Sequence, residues 1–204
     1  MTNYECWEIK DGLLEYFDDT HTYLWNGCVV PSITQILKVK FGHKYDGIPK
    51  AVLDNAARNG TAVHNAIEKV CKTGEIEDYP EVRNFLFLQK HYKFEVVDNE
   101  VPVVLEINGK IEAAGRLDLV LKINNEYGLG DIKRTSALDK GYLAYQLNLY
   151  RIAYQQCYGK EIKFLKGFHL RENVRKYVNL PIKEQLALDL VKDFLEGVNN
   201  EPNT

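Results

Sequence analysis

Cysteines are few in this sequence, and no two of them form a close pair. The four are Cys6, Cys28, Cys71 and Cys157, so the short C-x-x-C interval that zinc sites and iron–sulfur sites commonly use does not occur. We therefore expect neither a structural zinc ion nor an iron–sulfur cluster.

Long apolar runs are also missing. The chain has no uninterrupted run of about 18 apolar residues, the length that a membrane-spanning helix needs. The first residues, MTNYECWEIK, lack the basic and apolar regions of a secretory signal peptide. We expect no membrane partner and a cytoplasmic location.

The sequence has little excess charge of either sign. Its 26 Lys and Arg residues are nearly balanced by 29 Asp and Glu residues, which gives a formal net charge of −3. The chain as a whole should not attract DNA, so any contact with nucleic acid must come from local basic clusters. The lysines at positions 38, 40, 44 and 50 form one such cluster, although an ordinary solvated surface explains them equally well.

Size and composition predict one globular domain. The chain has 204 residues, of which 45% are hydrophobic and 27% charged. We expect a single domain over residues 1–204, with an N-terminal hairpin and helix at about 1–58, a core at about 59–180 and a C-terminal helix at about 183–198. The mixture of strand and helix patterns predicts an α/β or α+β fold, in which helices flank a mixed central β-sheet.

Residues 115–134, GRLDLVLKINNEYGLGDIKR, predict a β-hairpin. Leu117, Leu119 and Leu121 recur at the two-residue period of a strand, and a second extended run covers residues 127–133. Asn124 and Asn125 are the expected turn, because asparagine tolerates positive φ better than other non-glycine residues. Counting outward from a two-residue turn at these positions places Asp118 opposite Asp131.

Two facing carboxylates predict a metal site. Directly opposed Cβ atoms lie about 5 Å apart, and two carboxylates at that distance repel by about 3 kcal/mol at an effective dielectric constant of ~20. A divalent cation between Asp118 and Asp131 would turn this repulsion into a net attraction. Oxygen ligands of this kind suit Mg²⁺ or Mn²⁺. Lys133 leaves the same face as Asp131, whereas Ile132 points into the core. The alternative interpretation is a solvated hairpin with scattered charges.

Two helices carry further candidate residues. The first has an apolar stripe over residues 63–71 that ends at Gly74, and His64 and Glu68 lie one turn apart beside it. His64 is a candidate metal ligand through a neutral imidazole, although such a histidine is more often an ordinary, partly buried one. Glu68 is a candidate as well, although an exposed helical glutamate needs no functional explanation. The second helix covers residues 143–158 and presents Gln146 and Tyr150 on one face.

The remaining elements follow from shorter patterns. Ser32 is expected to cap a helix, with Gln35 as its capping-box partner. Other helices are expected at residues 80–89 and 186–198, and strands at residues 13–16, 22–25, 94–104, 162–170 and 177–180.

Four motifs in order resemble those of the PD-(D/E)XK nuclease superfamily. They are GTAVH at residues 60–64, GRLD at 115–118, DIK at 131–133 and QLNLY at 146–150. The resemblance is to the RecB-like and phage-exonuclease branch, which includes the CRISPR adaptation nucleases and a mitochondrial single-strand exonuclease. It extends over about residues 31–154 of the chain. The proline of the first motif is missing, since Leu117 precedes Asp118.

The resemblance implies a restriction-endonuclease-like core and a set of catalytic residues. Mg²⁺ or Mn²⁺ would be held by His64, Asp118, Asp131 and the carbonyl of Ile132, and would lower the pKa of an attacking water. Lys133 would orient or deprotonate that water.

Other positions would serve the substrate or extend the metal site. Gln146 and Tyr150 would hydrogen-bond to a phosphate or to the water. Either Glu100 or Glu106 would add a carboxylate, and the resemblance favours Glu100. Ser32 and Arg58 would bind the terminal phosphate, since a helix N-terminus is a natural anion site.

The implied function is metal-dependent DNA hydrolysis, as an exonuclease encoded by a phage or another mobile element. DNA with a free end is the expected partner, and a single-strand-binding or recombination protein is a further possible one. Two alternatives remain open: an endonuclease acting on single or branched strands, and a catalytically inactive nuclease fold that serves as a binding module.

Overall fold

Two β-sheets and five helices make up the part of the chain that the computed structural model describes, residues 4–200. The strands are β1 Tyr4–Ile9, β2 Gly12–Phe17, β3 Thr22–Trp25, β4 Cys28–Val30, β5 Glu95–Ile107, β6 Lys110–Ile123, β7 Glu126–Lys133, β8 Phe164–Arg171 and β9 Val174–Leu180. The helices are α1 Ile33–Phe41, α2 Lys50–Thr73, α3 Pro80–Tyr92, α4 Lys140–Tyr158 and α5 Glu184–Asn200.

The N-terminal sheet is larger than its sequence pattern suggests. The predicted hairpin of β2 and β3 is confirmed, and β1 and β4 extend it to four antiparallel strands in chain order. Both added strands are mostly exposed, so they lack the alternation of buried and exposed residues that predicts a strand. His21 lies in the turn between β2 and β3 with a φ of 50°.

The second sheet is mixed, as predicted. Its strand order is β5-β6-β7-β8-β9, and only the β7–β8 pair within the described residues is parallel. Parallel neighbours need a crossover connection, and α4 supplies it between β7 and β8.

Helices cover both faces of this sheet. One core cluster joins α1, α4 and α5 to the sheet, and a second joins α2 and α3 to the opposite side. The predicted α/β or α+β class is confirmed. The more specific restriction-endonuclease-like core stays a prediction. Within residues 4–200, no helix is long and apolar enough to cross a membrane.

Two helix predictions show what the sequence can and cannot reveal. Ser32 caps α1 as predicted: its hydroxyl accepts a hydrogen bond from the Gln35 N–H, and the Gln35 side chain accepts one from the Ser32 N–H. By contrast, α2 begins well before its predicted stripe. The stripe residues Val63, Ala66, Ile67 and Val70 are buried, whereas the preceding turns of α2 are mostly exposed, although Val52, Leu53, Ala56 and Ala57 continue the helical spacing there.

The predicted register of the β6–β7 hairpin is confirmed. Asn124 and Asn125 form the turn, with φ values of 49° and 66°. Ile123 pairs with Glu126, and the ladder continues in step to Leu119 and Gly130. The next position outward would pair Asp118 with Asp131, and there the ladder stops.

The regular alternation of β6 side chains between the two faces of the sheet is interrupted at Asp118. Leu117 packs in the cluster of α1, α4 and α5, whereas Leu119 and Leu121 pack in the cluster of α2 and α3. The expectation that all three leucines share one face is therefore wrong. On the neighbouring strand, Glu100 lies across from this point and has a φ of 51°, a conformation that interrupts a regular strand.

The turn offers a direct test of the register. Asn125→Gly should raise the free energy of unfolding by up to about 1 kcal/mol, because glycine adopts positive φ without a steric cost. Asn125→Val should lower it by about 1–2 kcal/mol, because a β-branched residue is strained there. Urea denaturation followed by circular dichroism measures both. Equal stability of the two variants would contradict the turn geometry.

Candidate active site

Three titratable side chains from three different elements meet at the point where the alternation of β6 is interrupted. His64 comes from α2, Glu100 from β5 and Asp118 from β6. Nδ1 of His64 lies 3.7 Å from Oε1 of Glu100 and 3.6 Å from Oδ2 of Asp118. One ligand atom from each of the three lies within 4.8 Å of the others, so the group could hold a metal ion.

Asp118 is held by the backbone of the neighbouring strand. Its Oδ2 accepts a hydrogen bond of 2.7 Å from the N–H of Ile132. The regular β6–β7 ladder ends at Leu119 and Gly130, so the carboxylate takes the place of a ladder carbonyl beyond that pair. The end of the ladder thus fixes the orientation of Asp118 and leaves its other oxygen available to a ligand.

Glu100 lies across from Asp118 at a point where its own backbone departs from strand geometry. It lies between the pairs Asn99–Leu119 and Val101–Leu117, which places it across from Asp118. The left-handed conformation costs about 1–2 kcal/mol for a residue with a Cβ. Strain of this kind is concentrated at functional sites, where the surrounding structure imposes it.

Arg116 fixes the other side of Glu100, and sequence reasoning did not single it out. Its Nε lies 2.8 Å from Oε2 of Glu100, and one of its terminal nitrogens donates to Oε1 of Glu5 on β1 at 2.7 Å. Its guanidinium also lies over the ring of Tyr16. Arg116 stands in the GRLD motif two residues before Asp118, and that position was the only signal available in the sequence.

The carboxylates around His64 favour its protonated form. Its Nε2 donates a hydrogen bond of 3.0 Å to the carbonyl of Ile132. Burial lowers the pKa of His64, but the charge of Asp118 and the hydrogen bond with Glu100 outweigh it and raise the pKa to about 9. The imidazolium therefore balances the carboxylates here, and His64 must lose its Nδ1 proton before that nitrogen can bind a metal.

Asp131 and Lys133 form a buried ion pair beside this cluster. Nζ of Lys133 lies 2.6 Å from Oδ2 of Asp131, and the carboxylate is almost fully buried. Burial raises the pKa of Asp131 to about 6, although Lys133 opposes that change. Burial also lowers the pKa of Lys133, but the charges of Asp131 and Asp118 outweigh it, so this pKa is raised and the ammonium stays charged.

One oxygen of the buried Asp131 carboxylate has no partner among the described residues. Oδ1 of Asp131 makes no hydrogen bond within the described part of the chain. An unsatisfied buried polar atom costs about 1–3 kcal/mol, and more for a charged group. Such an atom next to other potential ligands fits a site that a cation completes.

Helix α4 places Gln146 and Tyr150 over the same region of the sheet. Both side chains are buried, and Oε1 of Gln146 has no hydrogen-bond partner in residues 4–200. The Tyr150 ring lies directly on β6 because Gly115 has no side chain: a Cβ there would lie 2.9 Å from the ring. The predicted pair of an amide and a phenol on one helix face is thus present.

The other predicted residues lie apart from this cluster. Glu68 pairs with Lys72 at 2.5 Å on the surface of α2, and its carboxylate is not among the converging ligand atoms. Arg58 is exposed on the same helix and makes no ion pair with another described residue. Ser32 lies at the start of α1, where its hydroxyl also contacts the hydroxyl of Thr34 at 2.9 Å.

Comparison with known proteins adds little to this geometry. No family model matches the sequence, and no curated protein matches it. Among solved structures, the chain is similar to one described as "Crystal structure of SSO0001", with 16% sequence identity and a TM-score of 0.47. That similarity covers 86% of this chain and 79% of the other.

Metal binding at the cluster can be tested by stability. A divalent ion at about 100 times its dissociation constant should raise the free energy of unfolding by about 2.7 kcal/mol. Glu100→Gln and Asp118→Asn should lose most of that gain, because each removes a charged ligand. Thermal unfolding with Mn²⁺, Mg²⁺ or Ca²⁺ and with EDTA measures the difference.

Glu68→Gln is the matched control, since it removes the same charge from a surface pair. This variant should show the same metal-dependent increase in the free energy of unfolding as the parent protein. A melting temperature of the parent protein that does not change with any of the three ions would contradict the metal site. An equal loss of metal-dependent stabilisation in Glu68→Gln and Glu100→Gln would contradict it as well.

Proposed function

We propose that the chain is a Mg²⁺- or Mn²⁺-dependent nuclease that hydrolyses phosphodiester bonds of DNA and acts from a free end. The observation that carries this proposal is the meeting of His64, Glu100 and Asp118 beside a buried Asp131–Lys133 pair with an unpartnered carboxylate oxygen. A structural ion-pair network would satisfy its buried oxygens internally, whereas this one leaves an oxygen for a ligand.

The donor atoms suit a hard divalent cation. Carboxylate oxygens with one imidazole nitrogen match Mg²⁺ or Mn²⁺ better than a soft, thiol-seeking metal. His64, Glu100 and Asp118 would hold the ion, and the free oxygen of Asp131 would complete the set. The Ile132 carbonyl, a predicted ligand, accepts a hydrogen bond from Nε2 of His64 and would bind the ion through its second lone pair. When bound, the ion would supply Lewis-acid chemistry and lower the pKa of a water.

Lys133 would act on the substrate and the attacking water. Asp131 holds its ammonium at 2.6 Å, so the cation has a fixed position at the edge of the cluster. A positioned cation stabilises the negative charge that develops on a phosphoryl group during displacement. Gln146 and Tyr150 would orient the same phosphate or the water through the amide and the phenol.

The end-dependence rests on the cations outside the cluster. Lys38 and Arg58 are exposed on α1 and α2, and the free N–H groups at the start of α1 suit a phosphate. A guanidinium is the better anchor for a terminal phosphate, because its planar fork can bind two oxygens at once. An endonuclease built on the same chemistry is the alternative, and the choice of DNA substrate separates the two.

The roles of Asp131 and Lys133 should separate in mutants. Lys133→Ala should reduce cleavage by about 10²–10⁴-fold but leave metal-dependent stabilisation largely intact, because the ammonium is not a ligand. Asp131→Ala should lose both the cleavage activity and the metal-dependent stabilisation. The measurement is the cleavage rate of a labelled oligonucleotide with Mg²⁺ or Mn²⁺, together with thermal unfolding.

Lys122→Ala provides the control for Lys133→Ala. Lys122 lies on β6 of the same hairpin and makes no ion pair with a described residue, so its loss removes the same charge without touching the cluster. Cleavage by Lys133→Ala at the parent rate would refute the assignment, and so would an equal loss in Lys122→Ala.

A second test concerns the DNA end. The parent should degrade linear DNA and spare covalently closed circles, both single- and double-stranded. Arg58→Ala should slow the processing of 5′-phosphorylated DNA by about tenfold or more, with a smaller effect on 5′-hydroxyl DNA, because a charge-assisted pair is lost only in the first case. Rapid cleavage of closed single-stranded circles would establish the endonuclease instead.

A further inference from the structure

A cavity of about 440 Å³ separates the N-terminal sheet from α1 and opens next to the candidate active site. One wall comes from β2, β3 and the turn between them, and the other from the first turns of α1. Its floor includes Gly115 and Tyr150. Gly115 is three residues before Asp118, so the cavity lies about 10 Å along β6 from the cluster of ligands.

The sheet wall is aromatic and held in place by hydrogen bonds. The rings of Tyr16 and Tyr23 lie 4.7 Å apart between centroids. The Tyr16 hydroxyl bonds to Nδ1 of His21 at 2.8 Å and to Oδ1 of Asp18 at 3.1 Å. His21 is exposed at a turn with a φ of 50°, so its ring is fixed by Tyr16 while its other edge stays open to the cavity.

The helix wall and the floor are polar. Ser32, Thr34, Gln35 and Lys38 line the helix side, where Lys38 supplies a positive charge without an ion-pair partner among the described residues. Tyr150 is 5% exposed, and its hydroxyl makes no hydrogen bond within residues 4–200. An unpartnered hydroxyl on the floor of a cavity is a group to which a ligand can hydrogen-bond.

We propose that this cavity receives one unpaired nucleotide of the DNA strand that enters the active site. This inference rests on the proposed function, since it supplies the same strand with a second point of contact. The base would lie against the exposed ring of His21, which the Tyr16 hydroxyl holds in place, and its phosphate would face Lys38 and the start of α1. A volume of this size is in the range of about 300–1,000 Å³ that small ligands occupy.

The chemistry of the walls favours a base over a bare phosphate. Aromatic side chains bind single-stranded nucleic acid by stacking on its bases, and every base has a face that allows such stacking. A base that is paired within a duplex has no face free for a side chain. A site for phosphate alone would need only the helix N-terminus and a cation. The aromatic wall therefore predicts that the nucleotide must be unpaired before it binds.

Binding by the parent protein in EDTA tests this without cleavage. Fluorescence anisotropy would compare a short single-stranded oligonucleotide with versions that carry one abasic nucleotide at successive positions from the end. We expect one position at which loss of the base weakens binding by about tenfold, in the range of one stacked base. In His21→Asn, which tolerates positive φ but lacks the ring, that sensitivity should largely disappear.

Lys38→Gln and Lys40→Gln form a matched pair on one helix. Lys38 lines the cavity, whereas Lys40 lies over the ring of Tyr145 on α4. Lys38→Gln should weaken binding and Lys40→Gln should not, with circular dichroism used to verify that each variant is folded. Equal effects of the two, or binding that is insensitive to the base at every position, would overturn the cavity as a nucleotide site.

The outcome for the cavity is separate from the outcome for catalysis. Base-sensitive binding that depends on His21 would uphold the cavity even if the parent failed to cleave DNA with Mg²⁺ or Mn²⁺, and the proposed function alone would then fall. Cleavage without base-sensitive binding would uphold the nuclease and overturn the cavity.

Discussion

The balance of buried charge around Asp118 is the constraint on which the rest of the structure depends. Burying an isolated carboxylate costs several kcal/mol, and Glu100, Asp118 and Asp131 are all largely or fully shielded from solvent. His64, Lys133 and Arg116 compensate for them with three cations drawn from a helix and two strands. A divalent ion at this cluster would replace the proton on Nδ1 of His64.

The backbone is irregular where the carboxylates meet. Glu100, Asp118 and Asp131 occupy facing positions of β5, β6 and β7, so a regular sheet would place them in a row on one face. The β6–β7 ladder instead ends at Leu119 and Gly130 and Glu100 has a left-handed conformation, and there Asp118 accepts a hydrogen bond from the Ile132 N–H while Glu100 lies near His64. The sheet loses regular hydrogen bonds there, at the residues that would carry the chemistry.

The N-terminal sheet contributes to the same region from outside the central sheet. Arg116 joins the two parts, because it contacts Glu100 on one side and Glu5 and Tyr16 on the other. A change at the N-terminal sheet would therefore reach the ligand cluster through this guanidinium. This link also places the aromatic wall of the cavity beside the proposed path of the strand.

The sequence by itself determined the features that depend on neighbours along the chain. These are the α/β class, the asparagine turn and its register, the cap at Ser32 and the shared strand face of Asp131 and Lys133, all of which follow from local backbone preferences and side-chain periods. Only the tertiary structure decided which glutamate joins the cluster. Glu68 and Glu100 look alike in the sequence, and the choice between them depends on a strained φ, on Arg116 and on packing between elements far apart in the chain.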